Sequence, residues 1–175
     1  MWAVGIQQSQ SGSFGTLIEH FDGKRWSVVP SPNPGKFGNQ LYGVAAAGPA
    51  NVWAVGQSDD ATHEAFPLIE HLSHGTWTAQ LQTSLGSGFS DINGVAVAGR
   101  TVWIVGEYLD AATGLQHTLV ARSTGSGWQQ VPAPNPGTGD KTLGGISATG
   151  TSAWAVGYFK TNIGRSPLIE VHKPR

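Results

Sequence analysis

The sequence contains no cysteine, a single methionine and few charges, since only 12% of its 175 residues are Asp, Glu, Lys or Arg. The lack of cysteine excludes a disulfide framework and a thiolate metal site. The formal net charge is −1, and the ten Lys and Arg are scattered, without the basic stripe typical of a nucleic-acid-binding surface. No apolar run approaches the roughly 20 residues that span a bilayer. We therefore expect neither a nucleic-acid nor a membrane partner.

What the sequence has in quantity is glycine, at 25 residues, together with many Ser, Thr and Pro. This composition predicts many short elements joined by turns. Low charge with small polar residues is also common in exported bacterial proteins, and it favours a secreted or cell-surface location. The sequence starts inside a repeat, so no signal peptide is predicted.

All seven tryptophans fall into two repeating columns. The first column lies in the phrases Trp-Ala-Val-Gly or Trp-Ile-Val-Gly, with spacings of 51, 50 and 51 residues, and the second follows it by 24 or 25 residues. A period in this range indicates a stacked or radial array of one supersecondary unit. The first column is Trp2, Trp53, Trp103 and Trp154, and the second is Trp26, Trp77 and Trp128.

Each period carries four short segments, a to d, rich in Val, Ile and Trp and bounded by Gly, Pro, Asn or Ser. Such segments are typical of strands, and none shows the longer 3.6-residue periodicity of a helix. Short Gly-containing links join a to b and c to d, which predicts hairpins. Prolines follow segment d and place it at a sheet edge. Examples of a to d are 41–47, 51–56, 68–71 and 77–81.

Four antiparallel strands in each unit of about 50 residues describe a blade of a β-propeller, and a solenoid is the alternative. The fold class predicted is therefore all-β, with about 3.5 four-stranded blades in one array over residues 1–175. Segments b to d form a partial blade over 1–38, whole blades cover 39–89 and 90–140, and segments a to c form a partial blade over 141–175. The strand count of three, four, four and three does not close a ring simply. The chain is then a fragment of a larger propeller, half of a two-chain ring, or a strained four-bladed ring.

The layout resembles kelch-like propellers, in which a hydrophobic strand ending in Gly precedes a Trp by about 20–25 residues. It has one Gly, as at Gly56, where kelch repeats usually have two. The hairpin Gly75-Thr76-Trp77 is similar to a degenerate Asp-box. The whole chain also resembles bacterial propeller proteins with Trp-Ala-Val-Gly repeats. This resemblance implies the fold and not an activity, because propellers host many unrelated functions.

Several side chains are candidates for a functional site. The tryptophan columns recur in register, so we interpret them as packing between blades rather than sugar platforms. The recurrent Glu19, Glu70 and Glu170 are expected to form a repeated structural hydrogen bond or a solvated edge. The six histidines lack the spacing of a zinc site, and the acidic loop containing Asp59 and Asp60 lacks that of a calcium site. We therefore predict no metal, no cofactor and no catalytic residue.

Binding, where present, is expected in the variable b-to-c loops at 7–16, 57–66, 107–117 and 158–166. The candidate ligand-binding residues there are Tyr108, Tyr158, Phe159, Asp59 and Asp60. The three aromatic residues break the repeat, which makes them better candidates than the columns. The leading functional hypothesis is a non-enzymatic structural module that self-associates through open blade edges, with a dimer favoured. The alternative is a lectin-like propeller that binds a glycan or protein through these loops or through the pore of a full ring. An engineered or excised fragment is a third possibility.

Overall fold

A computed structural model of the protein describes residues 1–9, 12–59, 64–86 and 89–173. Within these residues the chain forms fourteen strands in four antiparallel, blade-like sheets and no helix, which confirms the all-β prediction. No helix that could cross a membrane is found in the described part of the chain. The four sheets follow one another along the sequence, and we number them I to IV.

Sheets I and IV have three strands and sheets II and III have four, each paired in chain order. Sheet I contains β1 (Trp2–Gln8), β2 (Phe14–Phe21) and β3 (Trp26–Val29). Sheet II contains β4 (Gly38–Gly48), β5 (Asn51–Asp59), β6 (Ala65–Ser73) and β7 (Thr76–Leu81). Sheet III contains β8 (Ser90–Ala98), β9 (Thr101–Asp110), β10 (Leu115–Ser123) and β11 (Trp128–Gln130). Sheet IV contains β12 (Lys141–Thr149), β13 (Ser152–Thr161) and β14 (Gly164–His172).

The core is divided into three apolar clusters, one at each junction between consecutive sheets. Successive side chains of a strand point to opposite faces, so each inner sheet contributes alternate residues to two junctions. In β5, for example, Ala54 packs towards sheet I while Val55 packs towards sheet III. The buried centres of the junctions are Ile18, Val52 and Leu68 (I–II), Val55, Ile104 and Leu119 (II–III), and Val105, Val120 and Leu168 (III–IV).

The crossover from one sheet to the next is anchored by a hydrogen-bond pattern that occurs twice. The Thr16 backbone N–H donates to Asn33 Oδ1 at 2.8 Å, and the Thr16 hydroxyl donates to the Pro32 carbonyl at 3.0 Å. Thr118 repeats both bonds with Asn135 and Pro134 at 2.9 and 3.3 Å. The Pro-Asn-Pro-Gly segments thus satisfy polar groups of their own sheet before they leave it.

The glycine that ends each Trp-x-Val-Gly phrase allows close approach of the neighbouring strand. A Cβ at Gly106 would overlap the Asp91 carbonyl oxygen of β8, and one at Gly56 or Gly157 would meet the equivalent carbonyl of β4 or β12. Among the described residues no such strand lies beside β1 in sheet I, and a Cβ at Gly5 meets nothing within 4 Å. The requirement for glycine therefore follows from the adjacent strand.

This contrast gives a matched pair of substitutions. We expect Gly106→Ala to lower the free energy of unfolding by about 1–3 kcal/mol, the usual cost of overpacking. Gly5→Ala should change it by less than about 0.5 kcal/mol. Urea denaturation followed by tryptophan fluorescence measures both values. Equal losses in the two variants would contradict the role of the neighbouring strand.

Candidate functional site

Five of the seven tryptophans pack at the junctions between sheets. Trp2 lies edge-on to Trp77 with ring centroids 5.5 Å apart, and Trp53 repeats this arrangement with Trp128 at 5.9 Å. Trp103 is buried at the III–IV junction. The other two, Trp26 and Trp154, are 45% and 39% exposed and lie on the terminal sheets.

The outer face of sheet IV is apolar and uncovered. Ala155 and Leu168 point towards sheet III, so the alternate residues of β13 and β14 point away from the array. Ile169 is 70% exposed, although its equivalents Ile69 and Val120 are buried. We call this surface face IV; it consists of Trp154, Val156, Pro167, Ile169 and Val171.

The outer face of sheet I is also uncovered. Trp2 and Ile18 pack towards sheet II, and the alternate residues of β1 and β2, with their cross-strand neighbours on β3, point away. Val28 is exposed, and Leu17 is partly exposed although its equivalent Leu68 is buried. We call this surface face I; it consists of Ala3, Leu17, Glu19, Phe21, Trp26 and Val28.

The aromatic residues predicted as ligand contacts have local packing partners. Tyr108 packs at the II–III junction with its ring edge-on to His117 at 5.8 Å, and Phe159 packs at the III–IV junction. Tyr158 lies under the Arg165 guanidinium, 4.3 Å from the ring centroid. Asp59, on β5, accepts a hydrogen bond from Gln57 at 3.2 Å. Asp60 lies outside the described residues.

A groove of about 530 Å³ lies at the hairpin end of the II–III junction. Trp53 stacks on His71 there with centroids 3.7 Å apart, and His71 Nε2 lies 2.8 Å from Asn51 Oδ1. Burial lowers the pKa of His71, which favours the neutral ring. Gln80, Arg100 and two serines also line the groove. This end of the fold carries the a-to-b and c-to-d turns, so sequence reasoning, which places binding in the b-to-c loops, misses it.

The recurrent glutamates correct one expectation. Glu70 is fully buried on the side of sheet II that faces sheet I, and neither carboxyl oxygen has a hydrogen-bond partner among the described residues. Burial raises the pKa of Glu70 to about 8, and the nearby Thr16 hydroxyl offsets a smaller part of this shift. The predicted solvated edge is therefore wrong for Glu70, and the predicted structural hydrogen bond is not found for it among the described residues. Glu170 is also buried, with Oε2 3.3 Å from His172 Nε2, while Glu19 is partly exposed on face I.

Two further carboxyls lie on the first two strands of sheet III, β8 and β9. Asp91 and Glu107 are cross-strand neighbours, and Glu107 accepts hydrogen bonds from Asn93 at 2.9 Å and from the Thr142 hydroxyl of sheet IV. Burial, followed by the Asp91 charge, raises the pKa of Glu107 to about 7. Burial, followed by the Asp59 charge, raises the pKa of Asp91 to about 6. Glu107 thus links sheets III and IV through Thr142. In the sequence, Glu107 differs from Gln57 and Tyr158, which follow the equivalent glycines in the neighbouring repeats.

Among the described residues no three His, Cys, Asp or Glu side chains form a group that could hold a metal ion. A scan against protein-family models and a search of curated proteins find no match for this chain. Function is therefore inferred from the geometry of the sheets, and above all from faces I and IV.

The buried Glu70 predicts an unusual pH dependence of stability. Because its pKa rises from 4.5 to about 8 on folding, the folded chain keeps a proton that the unfolded chain releases. The contribution of Glu70 to stability is then fully present below about pH 4.5 and is lost as the pH rises towards 8, by up to about 1.4 kcal/mol per pH unit. We expect Glu70→Gln to flatten this slope and to be more stable than the native protein at pH 8.

Urea denaturation at pH 5, 6.5 and 8 tests this expectation. The native protein measured in parallel is the reference, because Glu70→Gln keeps the shape of the side chain and removes only its ionisable group. An unchanged slope in Glu70→Gln would show that this carboxyl is already ionised in the folded protein.

Proposed function

We propose that this protein is a non-enzymatic repeat module of the β-propeller class, related in layout to kelch-like and Trp-Ala-Val-Gly blades. Its role is that of a structural scaffold that self-associates to extend or complete its array of sheets. The period of about 51 residues, with one antiparallel sheet in each unit, supports the propeller assignment.

The observation that carries the proposal is the uncovered state of faces I and IV. At the II–III and III–IV junctions the positions equivalent to Val156 and Ile169 are completely or almost completely buried, as Val55 and Ile69 show. Faces I and IV thus carry side chains of the kind that are buried at the junctions inside the chain, but no sheet of the described chain covers them. Exposed contiguous apolar surface of this kind marks an interaction site.

The exposed area of the chain supports the same interpretation. It is 9390 Å² for a mass of 18.3 kDa, whereas a compact monomer of that mass exposes roughly 8100 Å². The excess, on the order of 1200 Å², matches the lower range of specific protein–protein interfaces.

Solution mass measured by size-exclusion chromatography with light scattering tests self-association. We expect about twice 18.3 kDa for the native protein and a monomer for Ile169→Asp. An uncompensated carboxylate in an apolar contact costs several kcal/mol, which raises the dissociation constant about 100-fold or more.

Ile163→Asp is the matched control, because Ile163 is 99% exposed in the turn between β13 and β14 and lies outside face IV. It should leave the dimer intact. A native protein that is monomeric at all concentrations would overturn the proposal.

The groove at the II–III junction supports one alternative, a glycan-binding module. An indole stacked on a neutral imidazole, with amide and guanidinium groups beside it, suits the apolar face and hydroxyls of a sugar. Binding on a glycan array that is lost in Arg100→Ala and kept in Tyr158→Ala would favour the groove. The reverse pattern would favour binding by the b-to-c loops. An array without any binding would argue against the glycan-binding alternative and favour the structural scaffold.

A further inference from the structure

We infer that the self-association proposed above is head-to-tail: face IV of one copy packs on face I of a second copy and continues the series of inner junctions. This inference rests on the proposed function and adds the identity of the two contacting surfaces. The evidence comes from the three junctions inside the chain, I–II, II–III and III–IV, which we call the inner junctions. At each of them the earlier sheet contributes the surface equivalent to face IV, and the later sheet contributes the surface equivalent to face I.

The buried cluster of each inner junction contains one residue from β2, β6 or β10 of the earlier sheet and one from the equivalent strand, β6, β10 or β14, of the later sheet. These pairs are Ile18 with Leu68, Ile69 with Leu119, and Val120 with Leu168. All six side chains are at most 7% exposed. The next members of the series are Ile169, on face IV, and Leu17, on face I. These two positions of the series remain uncovered in the described chain. Packing of face IV on face I would bring them together as a fourth pair, Ile169 with Leu17.

The tryptophan pairs at the inner junctions also favour a contact between face IV and face I. At the I–II and II–III junctions a first-column indole of the earlier sheet meets a second-column indole of the later sheet edge-on, as Trp2 meets Trp77. The two exposed tryptophans are one of each kind: Trp154 belongs to the first column and lies on face IV, while Trp26 belongs to the second and lies on face I. A head-to-tail contact brings them together in the arrangement found inside the chain.

Face I also carries one carboxyl, and the inner junctions show that it is compatible with burial. Glu19 occupies the position of Glu70, which is fully buried between sheets I and II. Contact of face IV with a second face IV would instead oppose two surfaces in a pairing that occurs nowhere in the described chain. The repeat therefore favours the heterologous contact over the symmetric one.

A heterologous contact must close on itself or propagate into a filament. Two copies supply eight sheets, four from each chain. Eight is the upper end of the usual range of blade numbers in propellers, whereas three copies would supply twelve. We therefore assign the assembly as two copies closed into one ring with two equivalent junctions.

Variants that block one face at a time test this arrangement. Ile169→Lys alters face IV, and Leu17→Asp alters face I. Both positions are partly or largely exposed in the single chain, so each variant should fold with the native far-UV circular dichroism spectrum. Each variant alone should be monomeric by light scattering, because both junctions of its ring would contain a charge opposite an apolar residue.

An equimolar mixture of Ile169→Lys and Leu17→Asp should associate at least tenfold more tightly than either variant alone. One junction of the mixed ring is unaltered. The other places the ammonium group introduced on face IV of one copy opposite the carboxylate introduced on face I of the other, so neither charge is left uncompensated.

Two results would overturn the inference by establishing contact of face IV with itself. One is a Leu17→Asp variant that stays dimeric alone, and the other is a dimer restored by mixing Ile169→Lys with Ile169→Asp. In both cases self-association, and hence the proposed function, survives. A native protein that is monomeric throughout contradicts the inference and the proposed function together.

Discussion

The packing of one sheet on the next is the constraint on which the rest of the structure depends. A strand alternates its side chains between two faces, and in the inner sheets both faces are apolar, so each of these sheets is stable only between two neighbours. The alternation of Ala54 and Val55 in β5 divides a single strand between two separate cores. Stability in such an array is approximately a sum of junction terms. The terminal sheets are consequently the positions where this sum is incomplete.

The repetition of one geometry through four sheets also explains why glycine and tryptophan recur together. The indole of β5, β9 or β13 lies near the start of its strand and packs at a junction or on face IV, and the glycine three residues later, in the middle of the same strand, allows the preceding strand to approach closely. A side chain at Gly106 would collide with the backbone of β8, so the strand pairing itself demands glycine there. Gly5 shares the phrase but has no neighbouring strand on that side. The repeat therefore keeps the residues that a four-stranded sheet requires even at Gly5, where the described chain has no neighbouring strand to require glycine.

The strands, hairpins and sheet order could be predicted from the sequence because they depend on local signals: short β-branched segments, Gly-containing turns and a fixed period. The packing of five of the seven tryptophans at junctions was predictable for the same reason, since the columns keep their register, whereas Trp26 and Trp154 are exposed. The environment of Glu70 was not, because its burial depends on a sheet some 50 residues earlier in the chain. Likewise, nothing local to Asp91 or Glu107 indicates that Thr142 of the next sheet donates to Glu107.

The strands present in the terminal sheets decide how strong the head-to-tail junction would be. Both terminal sheets contain the second and third strands of a blade, which carry the central pairs such as Ile69 with Leu119, so the middle of the contact is complete. Sheet I has no counterpart of β4, however, whose Leu41 adds a buried side chain to the I–II junction. Each intermolecular junction would then bury less apolar surface than an inner one and contribute less free energy. In the proposed two-copy ring, closure would compensate for this, because once one junction had formed, the second would form at a high effective concentration.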